Sequence, residues 1–311
     1  MSVLLQIILP IFALIGLGYA SAKMKWISEE GLRGLNDFVF RLALPCLIFN
    51  GATTPHPGGG ATAFAFFTGC LTAYALAILL ARTVLRLKLG EAGTFGLNAS
   101  FGNSGMIGIP LVLAAYGQQG LGQLLAIIGL HSLILLPIGT VVGEMAHSSK
   151  APVLKILKAT IISVAQNPIV IAVAAGFVVY QAGVPVPEVA RNFLQLTGMA
   201  ASPVALFCLG ATLVAFDARR DWPSALVCSA LKLLFMPFLV AVIGWLISLP
   251  PLPMKVAVLT AALPTGANAF FLSRRYSAGA ERSGATVLLS TLLSLGTVAG
   301  LMMGLESWYG P

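Results

Sequence analysis

Two polar, glycine-rich runs interrupt an otherwise apolar chain. The first is Gly96-Leu-Asn98-Ala-Ser100-Phe-Gly102-Asn103-Ser104-Gly105-Met-Ile-Gly108-Ile-Pro110 and the second is Pro264-Thr265-Gly266-Ala-Asn268. Glycine weakens a helix and proline removes a backbone donor, so each run predicts a helix that breaks and restarts. A restarted helix presents unpaired N–H groups and a partial positive charge, where a carboxylate can dock. Asn103, Ser104, Gly105, Pro264, Thr265 and Asn268 are therefore candidate substrate-binding residues, the amides and hydroxyls fixing orientation. Gly102, Pro110, Pro264 and Gly266 are the candidate break residues. The competing reading is helix packing, because small residues and Ser/Thr also hold membrane helices together. It weighs equally for Gly96, Gly105 and Gly108.

Few other residues offer chemistry. Lys232 falls deep in an apolar run, where an ionisable group is costly and functional by default. It either supplies positive charge to an anionic substrate or neutralises helix dipoles at a break. Asp37 and Arg41 are spaced i,i+4 and can pair on one helix face. His131-Ser132 lies midway along another run, as a substrate-site or proton-relay candidate or as a packing histidine. Glu144 reads as interfacial, and His56 and His147 fall in connections. Cys46, Cys70, Cys208 and Cys228 lack metal or CxxC spacing and read as packing residues. No GxSxG, HExxH, P-loop or strand-linked GxGxxG is present, so no enzyme, metal or cofactor is expected.

The elements that position these residues follow from composition. Only 9% of the 311 residues are charged and 58% are apolar, too little charge to cover a soluble surface. That excludes a cytosolic enzyme, a nucleic-acid-binding domain and a disordered chain. Ten segments are long enough to span a bilayer: 2–22, 31–53, 61–81, 92–116, 121–146, 159–182, 193–215, 223–248, 254–275 and 283–305. The alternating ten-residue pattern of a membrane β-barrel is missing.

The net charge of +8 reads as topology. Connections after odd-numbered spans carry Lys23, Lys25, Arg33, Arg82, Arg86, Lys88, Lys150, Lys155, Lys158, Arg219, Arg220, Arg274, Arg275 and Arg282. The opposite side has Arg191 and Lys255. Basic residues favour the cytoplasmic side, so both termini are expected outside a cell (inner) membrane, and no nucleic-acid partner is expected. Lys23 and Lys25 follow the first apolar run rather than precede it, which reads as a retained helix and not a signal peptide.

Ten spans divide into two fives. Pro10/Pro168, Gly18/Gly176, Pro45/Pro203 and Phe49/Phe207 share one register, and Gly51-Ala-Thr and Gly210-Ala-Thr match one residue further on. An odd number of helices per unit turns the second copy upside down, the inverted-repeat plan of secondary transporters. Residues 1–147 form the expected first repeat, 148–158 a cytoplasmic linker and 159–311 the second repeat. The two breaks fall in spans four and nine, corresponding members of the two units, and point to a midplane site.

Phe101-Gly-Asn-Ser-Gly-Met-Ile-Gly-Ile-Pro-Leu111 and Ala262-Leu-Pro-Thr-Gly-Ala-Asn-Ala-Phe-Phe-Leu-Ser-Arg-Arg-Tyr276 resemble the auxin efflux carrier family of bacterial malonate permeases and plant PIN auxin exporters. Leu42-Ala-Leu-Pro-Cys-Leu-Ile-Phe49 and Lys232-Leu-Leu-Phe-Met-Pro237 add weaker support. The resemblance runs over nearly the whole chain. It implies an all-α, ten-helix fold of the NhaA and bile-acid-symporter type, with spans four and nine crossing at their breaks. It also implies a scaffold of spans 1, 2, 6 and 7, usually homodimeric, and a transport half of spans 3–5 and 8–10. The motif asparagine falls on Asn103 and the span-nine proline on Pro264. Many relatives have proline before that asparagine, where this chain has the less rigid Gly102.

The expected function is secondary transport of a small organic anion, a mono- or dicarboxylate of the malonate or auxin kind. The expected mechanism is alternating access of the elevator type. The principal alternative is a sodium- or proton-coupled symporter of the bile-acid-carrier class, which needs clustered oxygen ligands. Spans four and nine contain no acid in their cores.

Overall fold

In hydrocarbon every backbone N–H and C=O must find a partner within the protein, so long apolar runs fold as helices. A computed structural model describes residues 2–53, 59–146, 162, 165–217 and 221–310. The described residues are helical throughout their ordered elements, apart from one isolated β-bridge. The expected linker 148–158 lies outside them, as do His56, His147, Lys150, Lys155, Lys158, Arg219 and Arg220.

Helix α1 spans Ser2–Lys23. Helix α2, Glu29–Phe38, begins at Ser28, whose Oγ accepts from the Gly31 N–H at 3.1 Å. It passes through a π-helical turn, Val39–Ala43, into α3, Leu44–Ala52. Then come α4, Gly59–Thr83, and α5, Leu89–Ser100. A second π-helical turn, Ser104–Gly108, opens into α6, Ile109–Ala146. Gly117 breaks α6 with φ 59° and ψ −155°, at the expected connection between spans four and five. Next are α7, Pro168–Gln181; α8, Glu188–Met199; and α9, Ala201–Leu213. Helix α10, Trp222–Ala230, joins α11, Met236–Leu246, through a third π-helical turn, Leu231–Phe235. The chain ends with α12, Pro251–Ala261; α13, Ala267–Arg275; and α14, Ala280–Tyr309.

Six described helical stretches are long and apolar enough to cross a membrane: Gln6–Lys23, Gly59–Thr83, Ser104–Ala146, Glu188–Leu213, Trp222–Leu246 and Ala280–Tyr309. Helices α7 and α12 are apolar but shorter. The shortfall from ten has visible causes. Spans four and nine are each cut in two, the second half of span four running on into span five as α6; most of the start of span six lies outside the described residues; and span two passes through a π-helical turn and carries Asp37 and Arg41.

Helices pack in two groups. In one, α1 lies along α9, and α3 packs against α7 and α8. The α1–α9 approach is set by Gly18 and Gly210. A Cβ at Gly18 would collide with the Phe207 carbonyl, and one at Gly210 with the Ile15 carbonyl. The other group joins α4, α5, α6 and α10 to α14, around buried Phe66, Cys70, Leu97, Met236, Val240 and Val258. The two interruptions, between α5 and α6 and between α12 and α13, both belong to this second group.

Candidate substrate site at the helix interruptions

Each interruption leaves backbone groups without helical partners, and their pairing defines the site. Helix α5 stops at Ser100; Phe101 turns to φ −82°, ψ 103°, and Asn103 to φ −80°, ψ 63°. Helix α12 stops at Ala261, and Gly266 is extended at φ −80°, ψ 145° before α13 begins. The two exposed backbones pair through an antiparallel bridge between Gly102 and Thr265. Asn103 N–H donates to Pro264 O at 2.8 Å, and Gly266 N–H donates to Phe101 O at 2.9 Å.

Side chains satisfy more of the loose ends, as a buried backbone requires. Thr265 Oγ1 donates to Asn98 O at 2.8 Å, and Thr265 N–H donates to Ser290 Oγ at 3.0 Å. Asn98 is itself held, its Nδ2 donating to Thr94 O and its Oδ1 accepting from Ser283 Oγ. Cys70 Sγ donates weakly to Ser100 O at 3.5 Å. Lys232 Nζ donates to Ala261 O at 2.5 Å.

The polarity of the junction follows from helix direction. Helices α5 and α12 arrive with their carbonyl ends, which carry partial negative charge. Lys232, in the third π-helical turn and fully buried, sits among them. Its Nζ lies 3.4 Å from where a Cβ on Gly102 would stand, with Thr260 O 3.6 Å from the same point. Lys232 Nζ thus lies where α5 and α12 end, and it is not among the described residues that line the cavity described next.

The restarting ends face a cavity of about 540 Å³. Asn103, Ser104, Gly105 and Met106 line it from the first interruption, and Gly266, Ala267 and Asn268 from the second. Asn103 caps its turn, its Oδ1 accepting from Met106 N–H at 3.2 Å, while Asn268 is exposed. His131 and Ser132 of α6 complete this wall. The His131 ring lies 4.3 Å from that of Phe101 and 5.7 Å from that of Phe66, and its Nε2 has no hydrogen-bond partner. Among the described residues, no side chain lining it is an Asp, Glu, Lys or Arg.

The structure brings the candidate substrate residues Asn103, Ser104, Gly105, Asn268, His131 and Ser132 and the candidate break residues Gly102 and Gly266 around one cavity. Sequence reasoning did not foresee that Pro264 and Thr265 stand behind it. Pro264 contributes its carbonyl to the bridge, and Thr265 is fully buried among Asn98 and Ser290. Pro110, expected at the break, is the second residue of α6, past the interruption at 101–103. Asp37 and Arg41 do pair, at 3.2 Å, on an exposed face; they line an adjoining hollow that shares Asn36, Phe40 and Pro168 with the cavity. The opposite wall was missed: Asn36, Phe40, Leu209 and Thr212, with the start of α7 at Asn167. Asn167-Pro168 is a helix-start signature, and Asn167 Oδ1 indeed accepts from Ile169 N–H at 2.9 Å. Asn36 and Thr212 carry no such local signal.

A bundle of apolar helices with a cavity at two interrupted helices fits a membrane transport protein. The chain belongs to the membrane transport protein family that includes the auxin efflux carriers, which matches residues 3–302. It is 28% identical to a "Putative malonate transporter" of Rhizobium meliloti, over 97% of this chain and 95% of the relative. It is 25% identical to the "Uncharacterized transporter YfdV" of Escherichia coli K12, over 92% of both chains. It is 24% identical to "Auxin efflux carrier component 8" of Arabidopsis thaliana, over 93% of both. The chain is a multi-pass membrane transporter.

Proposed function

We propose that this transporter is a secondary carrier of small organic anions, mono- or dicarboxylates of the malonate or auxin kind. One observation carries the proposal. Two helix starts meet back to back through the Gly102–Thr265 bridge, and both present Asn-bearing N-terminal turns to one cavity with no charged side chain among its described lining residues. Helix-start N–H groups and amides favour a carboxylate without a fixed countercharge. Such binding is strong enough to select an anion and weak enough to release it. The Rhizobium relative's name, which includes malonate, supports the same class.

The rest of the proposal is architectural. Ten spans form two inverted five-helix repeats, 1–147 and 159–311, joined by a cytoplasmic linker at 148–158, with spans four and nine crossing at the bridge. The two packing groups support a division into a scaffold of spans 1, 2, 6 and 7 and a transport half of spans 3–5 and 8–10. The transport half carries the cavity across a scaffold that dimerises with a second copy, in an elevator movement. The carrier sits in the cell membrane with its basic connections in the cytoplasm and both termini outside.

The test is uptake of radiolabelled malonate and related C2–C4 acids into liposomes holding the purified protein. Asn103→Ala and Asn268→Ala should each reduce uptake at least about tenfold without lowering the amount of folded protein, as lost charge-assisted hydrogen bonds would. Wild-type uptake by both variants would remove the site. Replacing sodium with choline in the same assay distinguishes a sodium-coupled symporter, whose uptake would stop.

A further inference from the structure

The carboxylate site just proposed depends on two interruptions staying in register, and the structure shows what sets that register. Thr265 is the centre. Its backbone pairs with Gly102, its N–H donates to Ser290 Oγ, and its hydroxyl donates to Asn98 O. Ser290 lies on α14 and Asn98 on the last turn of α5, so one residue ties both interruptions to a third helix. The tie extends outward: Ser283 Oγ donates to Asn98 Oδ1 at 2.8 Å, and Thr94 Oγ1 donates to Ala278 O at 2.8 Å. Thr265, Ser290 and Ser283 are at most 1% exposed, and none of this chain lines the cavity.

Each bond answers a deficit created by the interruptions. The Asn98 carbonyl would pair with the N–H of residue 102 in a continuous helix; here Gly102 has left the helix, and Thr265 Oγ1 takes the role. The Thr265 N–H has no helical acceptor because α12 ended at Ala261; Ser290 Oγ takes it and passes its own proton to Val287 O at 3.3 Å. These groups are too deep to reach water, so losing a partner forces the backbone to move or to bury an unmet polar group. Movement at Thr265 is movement at Gly266, the next residue, whose N–H holds Phe101 O and whose backbone lines the cavity.

We propose that Thr265 and Ser290 are positioning residues of the site: they bind no substrate but hold the second interruption so that its helix start and Asn103 face the same anion. This rests on the carboxylate site of the preceding section. A residue that only fills space would affect folding and leave affinity alone. A positioning residue affects affinity in protein that is still folded.

Thr265→Val keeps the shape and removes the hydroxyl; Thr265→Ser keeps the hydroxyl and removes a methyl. Ser290→Ala removes the acceptor. Malonate binding to purified, monodisperse protein is measured by calorimetry, with C2–C4 mono- and dicarboxylates in parallel and the tightest binder of the wild type used throughout. Thr265→Val and Ser290→Ala should raise Kd about tenfold, as outer-layer partners do at metal sites, and Thr265→Ser should stay within about threefold of wild type. Amide exchange should quicken at Asn103 and Gly266 in the first two variants only. Unchanged Kd in Thr265→Val, even with a lowered Tm, would overturn the inference and leave the site standing. Ser290→Ala separates the cases if Thr265→Val fails to fold. If Asn103→Ala binds like wild type, or no acid binds the wild type, the underlying reading fails, and this inference with it.

Discussion

Lys232 shows how a single residue can be legible in kind and illegible in role. Its depth in an apolar run marked it as purposeful, but the run could not say which backbone it would meet. The partner, Ala261 O, is 29 residues away in sequence and belongs to another helix. Each helix C-terminus carries roughly half a negative charge, so the two that abut here amount to about one unit, matched by one ammonium. Lys232→Met keeps the length and removes the charge. It leaves Ala261 O without its donor and two carbonyl ends facing each other in a medium of low dielectric. The expected cost is about 1–3 kcal/mol of stability, read as a lower Tm in detergent. Because Lys232 does not line the cavity, Kd for malonate should change less than in Asn103→Ala. An unchanged Tm would show that desolvating the ammonium costs as much as the dipoles return. Asn36 and Thr212 illustrate the opposite failure. Each is an ordinary polar residue in its own helix, and it becomes part of a cavity wall only when α2 and α9 come to face the interruptions.

At the scale of elements, the two interruptions were legible because glycine, proline and amide residues crowd into segments that should have been apolar. The pairing of those interruptions was not, since a bridge between Gly102 and Thr265 joins residues 163 positions apart in sequence, and no local signal encodes it. A second local rule can be read from the structure. Each π-helical turn ends two residues before a proline: Ala43 before Pro45, Gly108 before Pro110, and Phe235 before Pro237. In each, the N–H just before the proline reaches back five residues, Leu44 to Val39, Ile109 to Ser104 and Met236 to Leu231. A proline ring collides with the carbonyl four residues earlier, and a turn widened by one residue moves that carbonyl aside. Pro110 is therefore not the break, yet it shapes the π-helical turn that precedes it. Pro110→Ala allows Ser104–Gly108 to tighten into α-helix, which rotates Ser104 and Gly105 by about 100° relative to α6. The expected result is folded protein with weaker malonate binding. Malonate affinity equal to wild type would mean the π-helical turn is held by the bridge rather than by the proline.

At the scale of the whole molecule, composition and charge placement made a many-helix membrane protein legible, because the bilayer admits so few solutions. The two packing groups differ in how each is joined internally. The Gly18–Gly210 approach in one group leaves no room for a side chain, whereas the second group is knitted by buried hydrogen bonds such as Thr62 Oγ1 to Gln123 Oε1 at 2.6 Å. Between groups α3 and α6 approach closely: a Cβ on Gly51 would stand 3.1 Å from Leu121 Cδ2 and 3.7 Å from Gln118 Oε1. An elevator must slide one group along this surface while each group stays whole. A short thiol cross-linker discriminates this from a fixed pore. In a background carrying Cys46→Ala, the pair Gly51→Cys and Leu121→Cys joins the groups, while Thr62→Cys and Gln123→Cys joins α4 to α6 within one group. Cross-linking the first pair should stop malonate uptake into liposomes, and cross-linking the second should leave most of it. Uptake that survives the first cross-link would mean the groups do not move past each other at this surface, and the cavity would have to reach both sides of the membrane by another route.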